Sequence, residues 1–159
     1  MTDTMRWRYG DTNPVVLPVD SATVIEIGDL VYLNVDDARP AAMSTYGASL
    51  AAAQETFHDL FAGVAMQRSR SGDTDPIRVA TSGVFELACA SATFEVGARI
   101  GLDDNAGGTA LENQQVIAVA AGNPERSIGT CAARVNPAGT RVLVDIVSTV
   151  MRGGPQAAA

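Results

Sequence analysis

The sequence predicts a mainly β fold: a small barrel or sandwich with one short helix and an extended N-terminal arm. Three observations carry this. Runs rich in Val, Ile and Thr recur between clusters of Gly, Pro, Asp and Asn, the pattern of short strands joined by turns. A single stretch, Ser49 to Phe61, places apolar residues at helical spacing. Residues 1–19 carry Pro14 and Pro18 and show no helical period.

Taken in order, residues 1–22 read as the arm. Within it Arg6-Trp7-Arg8-Tyr9 alternates basic and aromatic side chains, as a strand would. A β-rich domain then spans 23–150, and a small featureless tail spans 151–159. The domain opens with Thr23 to Leu33, a β-branched run with Gly28 inside it, which signals a bulge or a close backbone approach. Asn34 to Gly47 reads as a polar loop. Ser49 is placed to cap a helix whose stripe is Leu50, Ala53, Phe57, Leu60 and Phe61, with Gly63 as its stop. Val64-Ala65-Met66 is strand-like, and Arg68 to Pro76 is turn-rich. Ile77 to Ala90 reads as one long strand or two short ones broken at Ser82-Gly83. Phe94 to Leu102 reads as a strand, and Asp103 to Thr109 as a turn. Val116 to Ala121 is an apolar run ended by Asn123-Pro124. Asn136-Pro137-Ala138-Gly139 reads as a hairpin turn between strands at 127–135 and 141–147.

The chain also echoes itself. Ile25-Glu26-Ile27-Gly28 through Leu33 matches Phe94-Glu95-Val96-Gly97 through Leu102: apolar, Glu, apolar, Gly, and Leu at the end. Setting Gly63 on Gly129 aligns a second pair, and Ile77-Arg78-Val79 against Thr140-Arg141-Val142 a third. This predicts two related β-units wrapped into one barrel or sandwich, since neither could cover its apolar face alone.

Composition bounds the function. The 159 residues fit one domain with appended ends, long enough to bury a core without staples. Apolar residues make up 47% but aromatics only 5%, so aliphatic side chains must do most of the packing. Charged residues, at 18%, fall below the usual quarter, which suits a subunit that lives against neighbours. The formal charge is −7, and every basic side chain is Arg. Direct nucleic-acid binding is therefore disfavoured. The absence of Lys reflects either base composition or the suitability of Arg for interfaces. Cys89 and Cys131 fit no metal-binding spacing and are expected as buried thiols, with a disulfide the other reading. Met1 to Gly10 lacks the apolar stretch of a signal peptide, and no run reaches membrane-spanning length, so a cytoplasm, or an assembly made there, is the expected location.

No nucleophile, phosphate-loop or zinc motif appears in the chain, so no catalytic, cofactor or metal residues are assigned. The single histidine, His58, flanks the helical stripe and reads as a surface or cap residue. The pairs Asp36-Asp37, Asp73-Thr74-Asp75 and Asp103-Asp104-Asn105 offer hard oxygens, but turn chemistry explains them without calcium. The candidates for a partner contact are Arg6, Trp7, Arg8 and Tyr9. Trp and Arg are enriched at binding hot spots, and Trp7 is the only Trp. The competing reading folds the arm back as a strand with Trp7 in the core.

The ordered motifs Ile27 to Leu33, Phe61 to Ala65, Gly72 to Val79, Gly83 to Glu86, Phe94 to Leu102 and Gly139 to Val144 resemble the phage capsid cement, or head decoration, protein family. The resemblance spans about Thr23 to Ser148; the arm and the helix-bearing stretch Ser49 to Phe61 match it least. It implies a barrel-like structural subunit, not an enzyme. Such a subunit would bind the major capsid protein on the outer face of an assembled head, commonly as a homotrimer, with no membrane and no cofactor. Two alternatives stay open: another virion subunit of the tail or head–neck, and a trimeric nucleotide hydrolase of the dUTPase kind. The second rests on Arg68-Ser69-Arg70-Ser71-Gly72-Asp73 as a loose phosphate loop.

Overall fold

In the computed structural model, which describes residues 3–154, the strands sort into two sheets with the same internal order. A short strand β1 (Trp7–Tyr9) leads the chain. The first sheet contains β2 (Val15–Leu17), β3 (Leu30–Asn34), β4 (Asp37–Pro40), β5 (Phe61–Ala65) and β6 (Ile77–Ala80), in the order β2-β6-β5-β3-β4. The second contains β7 (Ser82–Phe94), β8 (Arg99–Asp104), β9 (Leu111–Val119), β10 (Gly129–Cys131) and β11 (Val135–Val147), in the order β7-β11-β10-β8-β9. A parallel pairing of β7 with β9, Ala88 opposite Gln115 and Cys89 opposite Val116, closes this sheet into a five-stranded barrel. In the first sheet the matching gap is bridged by Ala38 N donating to Pro18 O at 2.9 Å. The mainly β expectation, with one main helix, is met.

The echo in the sequence is an echo in register. Leu30 and Val31 face Val64 and Gly63, as Arg99 and Ile100 face Thr130 and Gly129. Ala65 faces Val79 as Cys131 faces Val144, and Leu17 faces Ile77 as Leu87 faces Val142. Glu26–Asp29 and Glu95–Ala98 form the same turn. Asp29 N donates to Glu26 O and Ala98 N to Glu95 O, both at 3.1 Å, and Gly28 and Gly97 take φ of +95° and +86°. These are type II turns, whose third position calls for glycine. Gly28 N then donates to Ala65 O, and Gly97 N to Cys131 O, both at 2.8 Å. Each unit thus makes its own five-stranded body, rather than half of a shared one. The third aligned pair needs a two-residue correction: Val79 matches Val144, not Val142. A shift of two leaves every side chain on its face, so the apolar pattern does not detect it.

Gly63 and Gly129 are equivalent for a steric reason. A Cβ at Gly63 would collide with the Ala80 carbonyl, and one at Gly129 with the Asp145 carbonyl, the same place in the two units. Gly63 is therefore a mid-strand contact and not a helix stop. The helix α1 (Leu50–Leu60) ends by itself at Phe61, which is already extended. Its start is as expected, with Ser49 Oγ accepting from Ala52 N at 3.2 Å. Ala53, Phe57 and Phe61 are buried, whereas Leu60 is exposed.

Four other boundaries differ from the sequence reading. Asn34 to Gly47 is not all loop, since β4 pairs with β3 there. Phe94 to Leu102 is interrupted by the Glu95–Ala98 turn, and Ile77 to Ala90 divides at Thr81 between the two sheets. Asn136–Gly139 is not a hairpin turn: it lies inside β11, opposite the end of β7, with register shifts on either side of Gly139. Long-range pairing with β7 accommodates the Pro and Gly as ladder irregularities.

One apolar cluster fills the first unit, with Leu17, Val19, Ile25, Val31, Ala65, Ile77 and Val79. A larger one joins the second unit's Leu87, Ile100, Val142 and Val144 to Leu30 and Tyr32 on the first sheet and to Phe57 of α1. Phe57 meets Tyr32 edge-on, ring centres 5.9 Å apart. Each such buried side chain contributes roughly 1.5–3 kcal/mol. Cys89 and Cys131 are buried free thiols, and burial raises the pKa of both. α1 is thus the seam: Gln54 Nε2 donates to Leu102 O at 2.8 Å, tying it to the second unit. A last short helix, α2 (Thr149–Arg152), closes the described chain.

Candidate functional site

The N-terminal segment is extended and is laid back over both units. Thr4 N donates to Ile27 O at 3.0 Å, and Ile27 N donates to Asp3 Oδ1 at 2.8 Å. Asp3 Oδ2 also pairs with Arg68 Nη1 at 2.8 Å. The Ile27 N–H, first among the causes, holds the Asp3 carboxyl below its ordinary pKa. β1 then pairs with the edge of β7, Trp7 opposite Phe85 and Tyr9 opposite Val84.

This pairing separates the four predicted contact residues. Arg6 turns inward and is only 8% exposed. Its Nε and Nη2 donate to Gln114 Oε1 at 3.2 and 2.8 Å, and Gln114 Nε2 donates to Asp29 Oδ1 at 2.8 Å. Asp29 Oδ2 accepts from Glu26 N at 2.9 Å. A neutral amide therefore links a buried cation to a buried carboxylate, and links the arm to both units. Burial lowers the Arg6 pKa and raises that of Asp29. Gln114 and Asp29 escaped the sequence reading; the one signal was an acid, Asp29, next to the apolar residues Leu30-Val31-Tyr32-Leu33.

Trp7, Arg8 and Tyr9 face solvent. Met5, Trp7 and Tyr9 are 44%, 42% and 52% exposed; a register shift between Trp7 and Tyr9 breaks the strand's alternation, so that all of β1 is exposed. Trp7 is therefore not a core residue. Its Nε1 donates to Gly10 O at 3.0 Å, which fixes the indole over the turn. Arg8 Nη2 pairs with Glu86 Oε1 at 3.1 Å, and Arg141 Nη1 reaches the same oxygen at 3.3 Å. The result is an apolar ridge, flanked by arginines and backed by a barrel wall.

His58 and four of the acidic-cluster residues have structural partners. His58 is buried rather than at the surface, with Nδ1 2.7 Å from Ser127 O, and so helps fasten α1 to the second unit. Asp73 Oδ2 accepts from Arg70 N, Asp103 Oδ1 from Asp104 N and Asn105 Oδ1 from Thr109 N, all local turn bonds. Asp104 Oδ2 accepts from the Tyr46 hydroxyl at 2.6 Å. Among the described residues no three His, Cys, Asp or Glu side chains are grouped to hold a metal ion.

No curated protein matches the chain. A family model described as phage cement protein matches residues 47–146, more than half the sequence. The match takes in α1, β5, β6 and the second unit up to Ile146, and leaves out the arm. The helix-bearing stretch thus lies inside the matched span, though the sequence resemblance was weakest there. With that match, the chain belongs to the phage cement protein family, a family of capsid-associated structural proteins of the virion.

Proposed function

We propose that the protein binds the outer surface of the assembled capsid and reinforces contacts between major capsid subunits. The observation that carries this is the Met5-Trp7-Tyr9 ridge: three large apolar side chains held exposed along an arm whose strand is already locked to its own barrel. A pre-ordered aromatic anchor loses little entropy on binding, and Trp, Tyr and Arg are the side chains that most often dominate interfaces. Arg6 is then the anchor that holds the ridge, and Trp7, Arg8 and Tyr9 are the contacts. Acting as a homotrimer, the protein would present three ridges at once; three tethered contacts multiply into slow release. The bridge opposes the outward pressure of packed DNA.

The test is Trp7→Ala. Co-sedimentation with purified heads should show binding at least tenfold weaker, with the thermal melt of the free protein nearly unchanged. Wild-type retention on the heads would sink the ridge's role.

A further inference from the structure

The two equivalent type II turns differ in one respect. The first, Glu26–Asp29, is covered by the chain's own residues 3–6. The second, Glu95–Ala98, is bare. Val96, the counterpart of Ile27, is 67% exposed, and open space lies over Gly97, whereas Thr4 O and Arg6 Cγ lie over Gly28.

The covered turn shows what such a turn accepts. A carboxylate takes the N–H of its second residue, the next amide along the incoming segment donates to the same residue's carbonyl, and an arginine three residues past the equivalent strand position pairs with the carboxylate. Every element has a counterpart in the second unit. Val96 offers the N–H and the carbonyl. Arg134 stands three residues after Cys131, as Arg68 stands three after Ala65. Among the described residues Arg134 pairs with the exposed Glu95, at 3.2 Å. Such a surface pair is worth little, so an incoming carboxylate can displace it.

We infer that the Glu95–Ala98 turn is a docking site for an extended segment of the major capsid subunit that carries an acidic residue. It docks as residues 3 and 4 dock on the first turn. The occupant rests on the capsid-binding reading above. The chemistry of the site rests on the equivalence of the turns and on the charge of Arg134. The chain's own segment is already seated, so it leaves the second turn for a partner.

The discriminating variant is Val96→Pro. Proline is favoured at the second position of a type II turn, so the fold tolerates it, yet it removes the N–H that the carboxylate needs. The probe is an acetylated peptide with the sequence of residues 2–6, titrated into isotope-labelled full-length protein. Amide shifts are expected at Val96, Gly97 and Arg134; they should vanish in Val96→Pro and shrink with an Asp-to-Asn peptide. Shifts that persist in Val96→Pro, or that fall elsewhere, overturn the site. On purified heads, Val96→Pro and Arg134→Ala should each bind about tenfold more weakly, a loss of about 1.4 kcal/mol. Unchanged head binding overturns the capsid segment as occupant while leaving the capsid reading intact. A wild-type protein that binds no heads overturns the capsid reading and the occupant together, while the peptide titration still decides the site.

Discussion

The two units share a register yet finish their barrels differently. The second closes by a parallel β7–β9 pairing, with long strands and a bare opening turn. The first closes by a single bond from Ala38 to Pro18, carries α1 between β4 and β5, and has its opening turn covered by the arm. The shared part is the backbone frame: the turn, the glycine crossing and the inward aliphatic positions. The divergent part is what covers the frame. One unit spends its outer sheet face on α1 and on its neighbour, and its turn on the arm. The other leaves its turn bare, while β1 lies along the edge of its β7. On the readings proposed above, the covered turn serves stability and the bare turn serves partner binding.

The frame itself predicts the largest effects. Gly63→Ala and Gly129→Ala each force a Cβ into a carbonyl of the adjacent strand, with no flexible side chain to yield. Each should cost more than about 4 kcal/mol, at the exceptional end for a point substitution. Chemical denaturation of both variants checks this. Equal damage at the two positions sharpens the equivalence; near-neutral behaviour at one of them breaks it.

A smaller effect belongs to the first unit's cover. Gln114 bridges Arg6 and Asp29, while its positional counterpart, Asp36, is exposed in the turn before β4. Gln114→Leu leaves both charged groups short of that partner and should cost about 1–3 kcal/mol. Hydrogen exchange should show the loss as faster opening at residues 4–9 before the barrels respond. Uniform acceleration over both units would contradict the amide's role as the arm's lock.

Much of this was legible in the sequence because β-rich patterns are local. The turns with Gly28 and Gly97, the Ser49 cap and the alternation in Arg6-Trp7-Arg8-Tyr9 all follow from neighbours in the chain. What failed was long-range. Asn136–Gly139 carries every sign of a turn, but pairing with β7 some fifty residues away keeps it in a strand. His58 lies beside the apolar stripe, and only the Ser127 carbonyl explains its burial. Arg6 and Trp7 are adjacent with opposite fates, because Arg6 reaches Gln114 just before β1 begins, whereas all of β1 is exposed on the edge of β7. The candidate ridge was therefore half visible: its residue types could be read, but its facing could not.

The smallest effect is one of pH, and it also separates the units. Asp29 occupies the position that Ala98 fills in the second turn, so the buried acid is peculiar to the first. Burial raises its pKa, despite the bonds from Gln114 and Glu26 that favour the ionised form. A buried acid with a raised pKa binds its proton more tightly in the folded state than in the unfolded state. Its stabilising contribution is fully present below the ordinary aspartate range and is lost as pH rises through the raised value. The melting temperature of wild type minus that of Asp29→Asn should therefore fall as pH is raised from the ordinary aspartate range toward neutrality. A difference that grows with pH would mean that the ionised carboxylate is the favoured form, held by Gln114 strongly enough to outweigh its burial.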